Sequence, residues 1–537
     1  MLSRRGFAQA AGSPEWKRRR GSRCRPTLDR LESLLLLSGD PILHWNQVAL
    51  DAMAADTLPG TKEQVGPTSA SRAMAIVHLA MFDAVNAIIP LSKSYVLSET
   101  VPRWASAEAA VAQAAHDTLS ALYPRQKPAF DAELRSVLRS VPNGMAQRVG
   151  VDVGRRAARV VLRARQNDGS ERVETYQSAV EPGNYLVYPE EPAAVTPHWG
   201  KVRPFALNSV DQFPVAPPPD LTTVEYAQAY NEVQELGGDG LITPTSRTED
   251  QTIIGTFWGY DGTPGLGYPP RLYNQIARAV AIQQGTMMVE NARLFALVNV
   301  ALADAGIASW HVKYDTMVWR PLRGIRQVGP NGESLDDGNP LTTADPNFTP
   351  LGAPCTNHPT GASDFTPPFP AYTSGHATFG AAALGTLRNF FGRDDLTFTV
   401  VSDEYNGQNK DRHGNVRPFL PRTFDSFSEA IEENGQSRIY LGIHWSFDKT
   451  EGIKQGEQIA NFVSSTCMNV RPHRVKLEMQ RLRARDQQEH RSPPRRVPFL
   501  NPAVARAVPS GPLASQGLDS LASWVRTGRE RLQPARR

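Results

Sequence analysis

Residues 437–448 read Ser437-Arg438-Ile439-Tyr440-Leu441-Gly442-Ile443-His444-Trp445-Ser446-Phe447-Asp448. Arg438 offers a planar fork of donors suited to an oxyanion, and His444 follows closely enough to converge on the same ligand. Asp448, one helical turn past His444, is placed to hold the second ring nitrogen and so fix the tautomer. A lone His444 reads equally well as a satisfied core histidine, and the neighbouring segments must decide.

Two further segments point the same way. Phe369-Pro370-Ala371-Tyr372-Thr373-Ser374-Gly375-His376 runs into an apolar stretch starting near Ala377, which puts Ser374 close to a helix N-cap. Free amides and the helix dipole favour an anion there, and Gly375 lets the backbone approach it. His376 can serve as general acid or base near neutral pH. The plain alternative is an ordinary Ser cap beside a surface His. In Lys313-Tyr314-Asp315-Thr316-Met317-Val318-Trp319-Arg320-Pro321, Lys313 and Arg320 stand two helical turns apart. On one continuous helix both cations project from one face, with Pro321 bending or ending the helix behind them. A solvated basic stripe is the plain alternative. Together the segments supply a Lys, two Arg, two His and a helix N-terminus. A tetrahedral oxyanion that passes through a trigonal-bipyramidal state requires such a set.

Around these segments the chain reads as helical. Met74, Val77, Met81, Val85 and Ile88 recur at helical spacing before Pro90. Ser106 caps a second helix, lined by Val111, Ala115, Leu119 and Leu122, and a third runs from about 144 to 165. Prolines dissolve the pattern over 185–220, a linker or irregular wrap. Ile276, Val280, Gln283, Met287, Asn291, Leu294 and Val298 follow one face of a single long helix ending near Ile307. Residues 328–372 form a long loop, of the kind that is functional or disordered. A helix follows from Thr378 to Phe391, then an apparent insert at 403–423. A short helix to about Asn434 comes next, opened by a Ser426/Glu429 capping box. Strand signals are few, so the expected class is all-α.

The domains expected are a basic N-terminal tail over 1–40, a helical region over 41–210 and a catalytic helical bundle over 221–470. A basic, Pro- and Arg-rich tail over 471–537 is expected to be disordered, apart from a short helix at 513–532. The 537 residues carry a formal charge of +4, unevenly spread. Residues 1–30 hold nine Lys and Arg against two Asp and Glu, and residues 471–537 fifteen against five, so the body between is acidic. Interleaved aromatics and base-reading motifs are missing, which argues against a dedicated nucleic-acid binder. No apolar run approaches the roughly 20 residues of a spanning helix. Cys24, Cys355 and Cys467, odd in number and far apart, exclude a disulfide framework and give no paired metal-ligand spacing.

The joint spacing Lys-x6-Arg-Pro, Ser-Gly-His and Ser-Arg-x5-His-x3-Asp resembles the signature shared by vanadium haloperoxidases and the type-2 phosphatidic acid phosphatases. It spans Lys313 to Asp448, about a quarter of the chain. The resemblance implies helical bundles with the site at the end of the C-terminal bundle. It implies vanadate as cofactor, with His444 as the axial ligand to vanadium. Lys313, Arg320, Ser374, Gly375 and Arg438 would hold the equatorial oxygens, and His376 would exchange a proton with the apical oxygen. Thr373 departs from the family pattern, which has Pro before Ser-Gly-His.

Trp310 and Phe369 match aromatic positions that flank the cofactor in fungal-type vanadium chloroperoxidases; algal bromoperoxidases carry His in place of Phe369. Asp261, more loosely matched, would pair with an active-site Arg. The implied reaction is oxidation of halide by hydrogen peroxide to hypohalous acid, with Lys313 polarising the peroxide. A soluble acid phosphatase forming a phosphohistidine on His444 is the alternative for the same pocket. Residues 25–38 are similar to a Leu/Glu/Arg signature found at the start of many exported bacterial proteins, which points toward export.

Overall fold

The computed structural model of the chain describes residues 39–177, 179–187, 192–359 and 361–471. The tails expected over 1–38 and 472–537, the helix at 513–532 and Cys24 lie outside the described residues.

Asp40 opens the first helix, α1 (Pro41–Asp56), by accepting from the Ile42 and Leu43 amides. Next come α2 (Gly66–Ile88), α3 (Ala107–Leu122), α4 (Lys127–Ser140) and α5 (Met145–Ala164). Ser106 caps α3 as its sequence requires, accepting from Ala109. Then follow α6 (Val224–Leu236), α7 (Glu249–Phe257), α8 (Pro269–Gln284), α9 (Met288–Thr316), α10 (Pro321–Arg326) and α11 (Gly375–Phe391). Two strands, β1 (Phe398–Asn406) and β2 (Phe419–Phe424), precede α12 (Phe427–Tyr440) and α13 (Ser446–Thr466). The all-α reading holds: among the described residues the only sheet is this antiparallel pair.

α9 is the axis of the bundle, packing on α2, α11 and α13. It is the one described helix long and apolar enough to cross a membrane, yet 94% of its most apolar window is buried inside the protein. Its Asp304 carboxylate accepts from the Phe205, Ala206 and Leu207 amides, which pins the proline-rich wrap of 185–220 against it. The main hydrophobic core draws residues from Ile42 to Met468, and two smaller clusters, around Trp319 and Trp445 and around Ala353 and Ile443, stand beside it. Gly452 and Gly456 bring α13 so close to α11 that a methyl group on Gly456 would strike the Thr378 carbonyl.

Several sequence expectations are corrected. The long helix through Ile276 and Val298 is two helices, because Gly285 takes the left-handed conformation (φ 60°) and ends α8. The second piece, α9, runs on past Ile307 to Thr316. Lys313 and Arg320 therefore do not share a helical face. Met317 (φ 52°) caps α9, and the chain over 317–319 pairs with 183–185 through Tyr185 N to Met317 O and Trp319 N to Gly183 O. Arg320 then becomes the N-cap of α10, so Pro321 opens a helix and does not close one. The insert at 403–423 belongs to the β-hairpin, whose non-local pairing leaves little trace in local periodicity. At α12 only half of the capping box forms: Ser426 accepts from Glu429, while Glu429 takes the Asp425 amide. The helix continues to Tyr440, beyond Asn434, and so carries Arg438.

Candidate active site

Lys313 lies in the last turn of α9 and is fully buried. Its ammonium donates to the carbonyls of Pro370 (2.8 Å) and Ala371 (3.0 Å). The Trp310 and Phe369 rings stand 5.6 and 5.2 Å from Nζ. Burial, then the charge of Arg320, pushes the Lys313 pKa well below the usual amine value. The two rings pack together with centroids 4.9 Å apart, and Trp310 is anchored by its Nε1 donating to Val195 O.

Arg320 arrives from the other side of the Met317 turn. Its Nε donates to Phe369 O, and Nη1 donates to Ile443 O and to His444 Nε2 at 2.9 Å. Phe369 also stacks under its guanidinium, 4.8 Å away. Because Arg only donates, His444 Nε2 must be the unprotonated nitrogen and Nδ1 must carry the proton. That proton faces Asp448 Oδ2 at 2.8 Å, and the same oxygen accepts from the Trp445 amide. Burial, reinforced by Arg320 and Lys313, holds His444 well below its ordinary pKa. Asp448, equally buried, is pushed up.

Ser374 caps α11, accepting from Ala377, and its own amide donates to Asp448 O, locking the cap to the start of α13. The first-turn amides at Gly375 and His376 have no acceptor within the helix. A Cβ at Gly375 would lie 3.3 Å from the Trp310 ring, so this wall tolerates no larger residue without shifting. Burial and then Arg438 push the His376 pKa down to about 3, against upward pulls from Asp261 and the Trp258 backbone.

Arg438, on the last turn of α12, sends Nη2 to both oxygens of Asp261, 3.0 and 2.9 Å away. Burial pushes the Asp261 carboxyl up, but Arg438 and His376 outweigh it and hold the group below the usual range.

Every site residue named from the sequence thus falls in one region, at one end of the bundle. Asp261, His376, Arg438 and His444 line a single cavity of about 510 Å³ with Gly375, Trp310 and Phe369. Five buried polar atoms of these residues have no partner: Arg320 Nη2, Arg438 Nε and Nη1, His376 Nε2 and Asp448 Oδ1. Among the described residues no group of three His, Cys, Asp or Glu side chains could enclose a bare cation.

Sequence reading missed the supports of His376. Asn434 Nδ2 (2.7 Å) and the Tyr273 hydroxyl (3.0 Å) both donate to its carbonyl. Asn434 stands one turn before Arg438 on α12, so its spacing was an available signal. Val195, which accepts from Trp310 and from the Tyr314 hydroxyl, sits in the proline-rich wrap and gave none.

A family model of the N-terminal domain of vanadium chloroperoxidase matches residues 38–159, and one of its second helical-bundle domain matches residues 293–471. The chain is 34% identical to the vanadium chloroperoxidase of Curvularia inaequalis, a match that covers 76% of this chain and 78% of that one. Among solved structures, it resembles a bacterial vanadium-dependent iodoperoxidase with a TM-score of 0.64, at 22% identity, over 80% of this chain and 98% of that one. A holo-type bacterial vanadium-dependent chloroperoxidase gives a TM-score of 0.55 at 17% identity, over 77% and 95%. The fold, the converging cations and this similarity agree: the chain belongs to the vanadium chloroperoxidase family.

Proposed function

We infer that the chain is a vanadate-dependent haloperoxidase that oxidises halide with hydrogen peroxide to hypohalous acid, and that the floor of the cavity, lined by Gly375, Arg438 and His444 with Lys313, Arg320 and Ser374 behind them, holds the vanadate. The observation that carries the assignment of the floor is its set of unpartnered donors. Arg320 Nη2 and Arg438 Nε and Nη1 are buried, cationic and without an acceptor. Leaving each unpaired costs about 1–3 kcal/mol, more for a charged group, and a tetrahedral oxyanion removes that penalty for all three at once. The residues present therefore fit vanadate.

Arg320, Arg438, Lys313, Ser374 and the Gly375 amide would hold its oxygens, and His444 Nε2, the unprotonated nitrogen, would bind vanadium. When bound, the group supplies a Lewis acid that activates peroxide toward halide without changing its own oxidation state.

Asp448 keeps the His444 proton on Nδ1, which leaves the lone pair on Nε2; the Arg320 Nη1 hydrogen bond that this nitrogen now accepts would give way when vanadium binds. His376 Nε2, unpartnered and neutral near pH 7, takes a proton from incoming peroxide and returns it to the departing oxygen. Lys313, steadied by two carbonyls, polarises the peroxide. Trp310 and Phe369 exclude water from this corner and strengthen each charge in it. The test is bromination of a phenolic dye by purified protein with peroxide and bromide, with and without vanadate. Vanadate-dependent bromination is expected; hydrolysis of phosphate esters without it would move the assignment to an acid phosphatase.

A further inference from the structure

The cavity is much larger than its floor needs. An oxyanion of four oxygens takes up about the room of four waters, roughly 120 Å³. The whole cavity is about 510 Å³, within the range that encloses an organic ligand. Halide and peroxide need only a narrow channel.

The outer wall has its own chemistry. Pro67, Pro192, Val195, Tyr268, Phe365 and Pro368 make it apolar. At the rim stand Lys62 and His358, both exposed. They lie close enough that the Lys62 charge adds to burial in holding His358 below its ordinary pKa. Among the described residues the only carboxylate lining the cavity is Asp261, already paired with Arg438. Asp56, which feels the Lys62 charge, is engaged by the Glu63 and Gln64 amides. An apolar chamber with a cationic lip, and with no unpaired carboxylate among its described lining residues, suits an apolar acid.

We propose that the outer chamber binds the organic acceptor itself, an electron-rich aromatic molecule bearing a carboxylate, with its ring toward His376 and its acid group paired with Lys62. This rests on the haloperoxidase reading and adds to it that halogenation occurs on a held substrate. In the step, a ring C–H bond breaks and a carbon–halogen bond forms. The halide gives two electrons to the O–O bond of peroxide, which leaves as two waters after taking up the ring proton and one proton from solvent.

The experiment compares 3-(4-hydroxyphenyl)propanoate with its methyl ester, whose rings have closely similar reactivity toward free hypobromous acid. Calorimetry on the vanadate-loaded protein is expected to show the acid binding about three- to fivefold more tightly than the ester, the range of one partly exposed ion pair. Bromination should show the same preference in kcat/KM. Lys62→Glu should abolish it while leaving the bromide KM and the bromination of neutral 1,3-cyclohexanedione unchanged. Equal binding of acid and ester, or brominated products in the ratio given by added hypobromous acid, overturns the proposal. The dione reports on the haloperoxidase reading alone: its failure to be brominated by the wild-type protein would remove that reading, while the calorimetric comparison still decides the chamber's occupant.

Discussion

Asp448 Oδ2 lies 2.8 Å from His444 Nδ1, while Arg320 Nη1 approaches the opposite nitrogen of the same ring at 2.9 Å. The imidazole is thus held in one tautomer from both sides. Asp448→Asn removes the charge that orients it. Vanadate titration of the bromination activity should give an affinity about 10- to 100-fold weaker, the usual effect of losing a carboxylate behind a ligating His.

Asp261 neutralises Arg438 when no anion is bound. Asp261→Ala leaves a buried guanidinium without its counter-ion, which should cost about 3–5 kcal/mol in the vanadate-free protein. Vanadate then becomes the main partner of Arg438. In thermal melts the variant should start from a lower Tm and gain more from added vanadate than the wild type does.

Gly380 sits on α11 where a Cβ would run into Asn434, the residue that holds the His376 carbonyl. Gly380→Ala should destabilise by about 1–3 kcal/mol through overpacking. Because the strain falls on a support of His376, kcat should drop at saturating vanadate while vanadate affinity changes little.

The pH dependence has a definite sign. His376 has its pKa lowered from 6.5 to about 3 by burial and Arg438, so the unfolded chain binds more protons between those values. Stability from this group therefore rises with pH across that window and is lost on acidification. Asp448, pushed up by burial, acts in the opposite direction above the usual carboxylate range. Comparison with His376→Gln separates the two: the vanadate-free variant should lose less Tm than the wild type as pH falls from 6.5 toward 3.

Local sequence revealed the site better than the fold. Ser374 as N-cap, His376 in the first turn of α11 and Asp448 one turn beyond His444 follow from short-range rules that the structure obeys. The relation of Lys313 to Arg320 did not, because it turns on Met317. A left-handed methionine has no compositional signature, and here it is held by pairing with residues 183–185, far away in sequence. The β-hairpin at 398–424 escaped for the same reason. Gly285, by contrast, was visible, but the apolar spacing on either side continued in phase and hid the break.

The most direct measurement is a crystal structure of the protein soaked with vanadate. Density bonded to His444 Nε2, with oxygens on Arg320 Nη2 and on Arg438 Nε and Nη1, is the predicted result. Vanadate bound elsewhere, or an oxyanion in the cavity with no bond to His444, would contradict it.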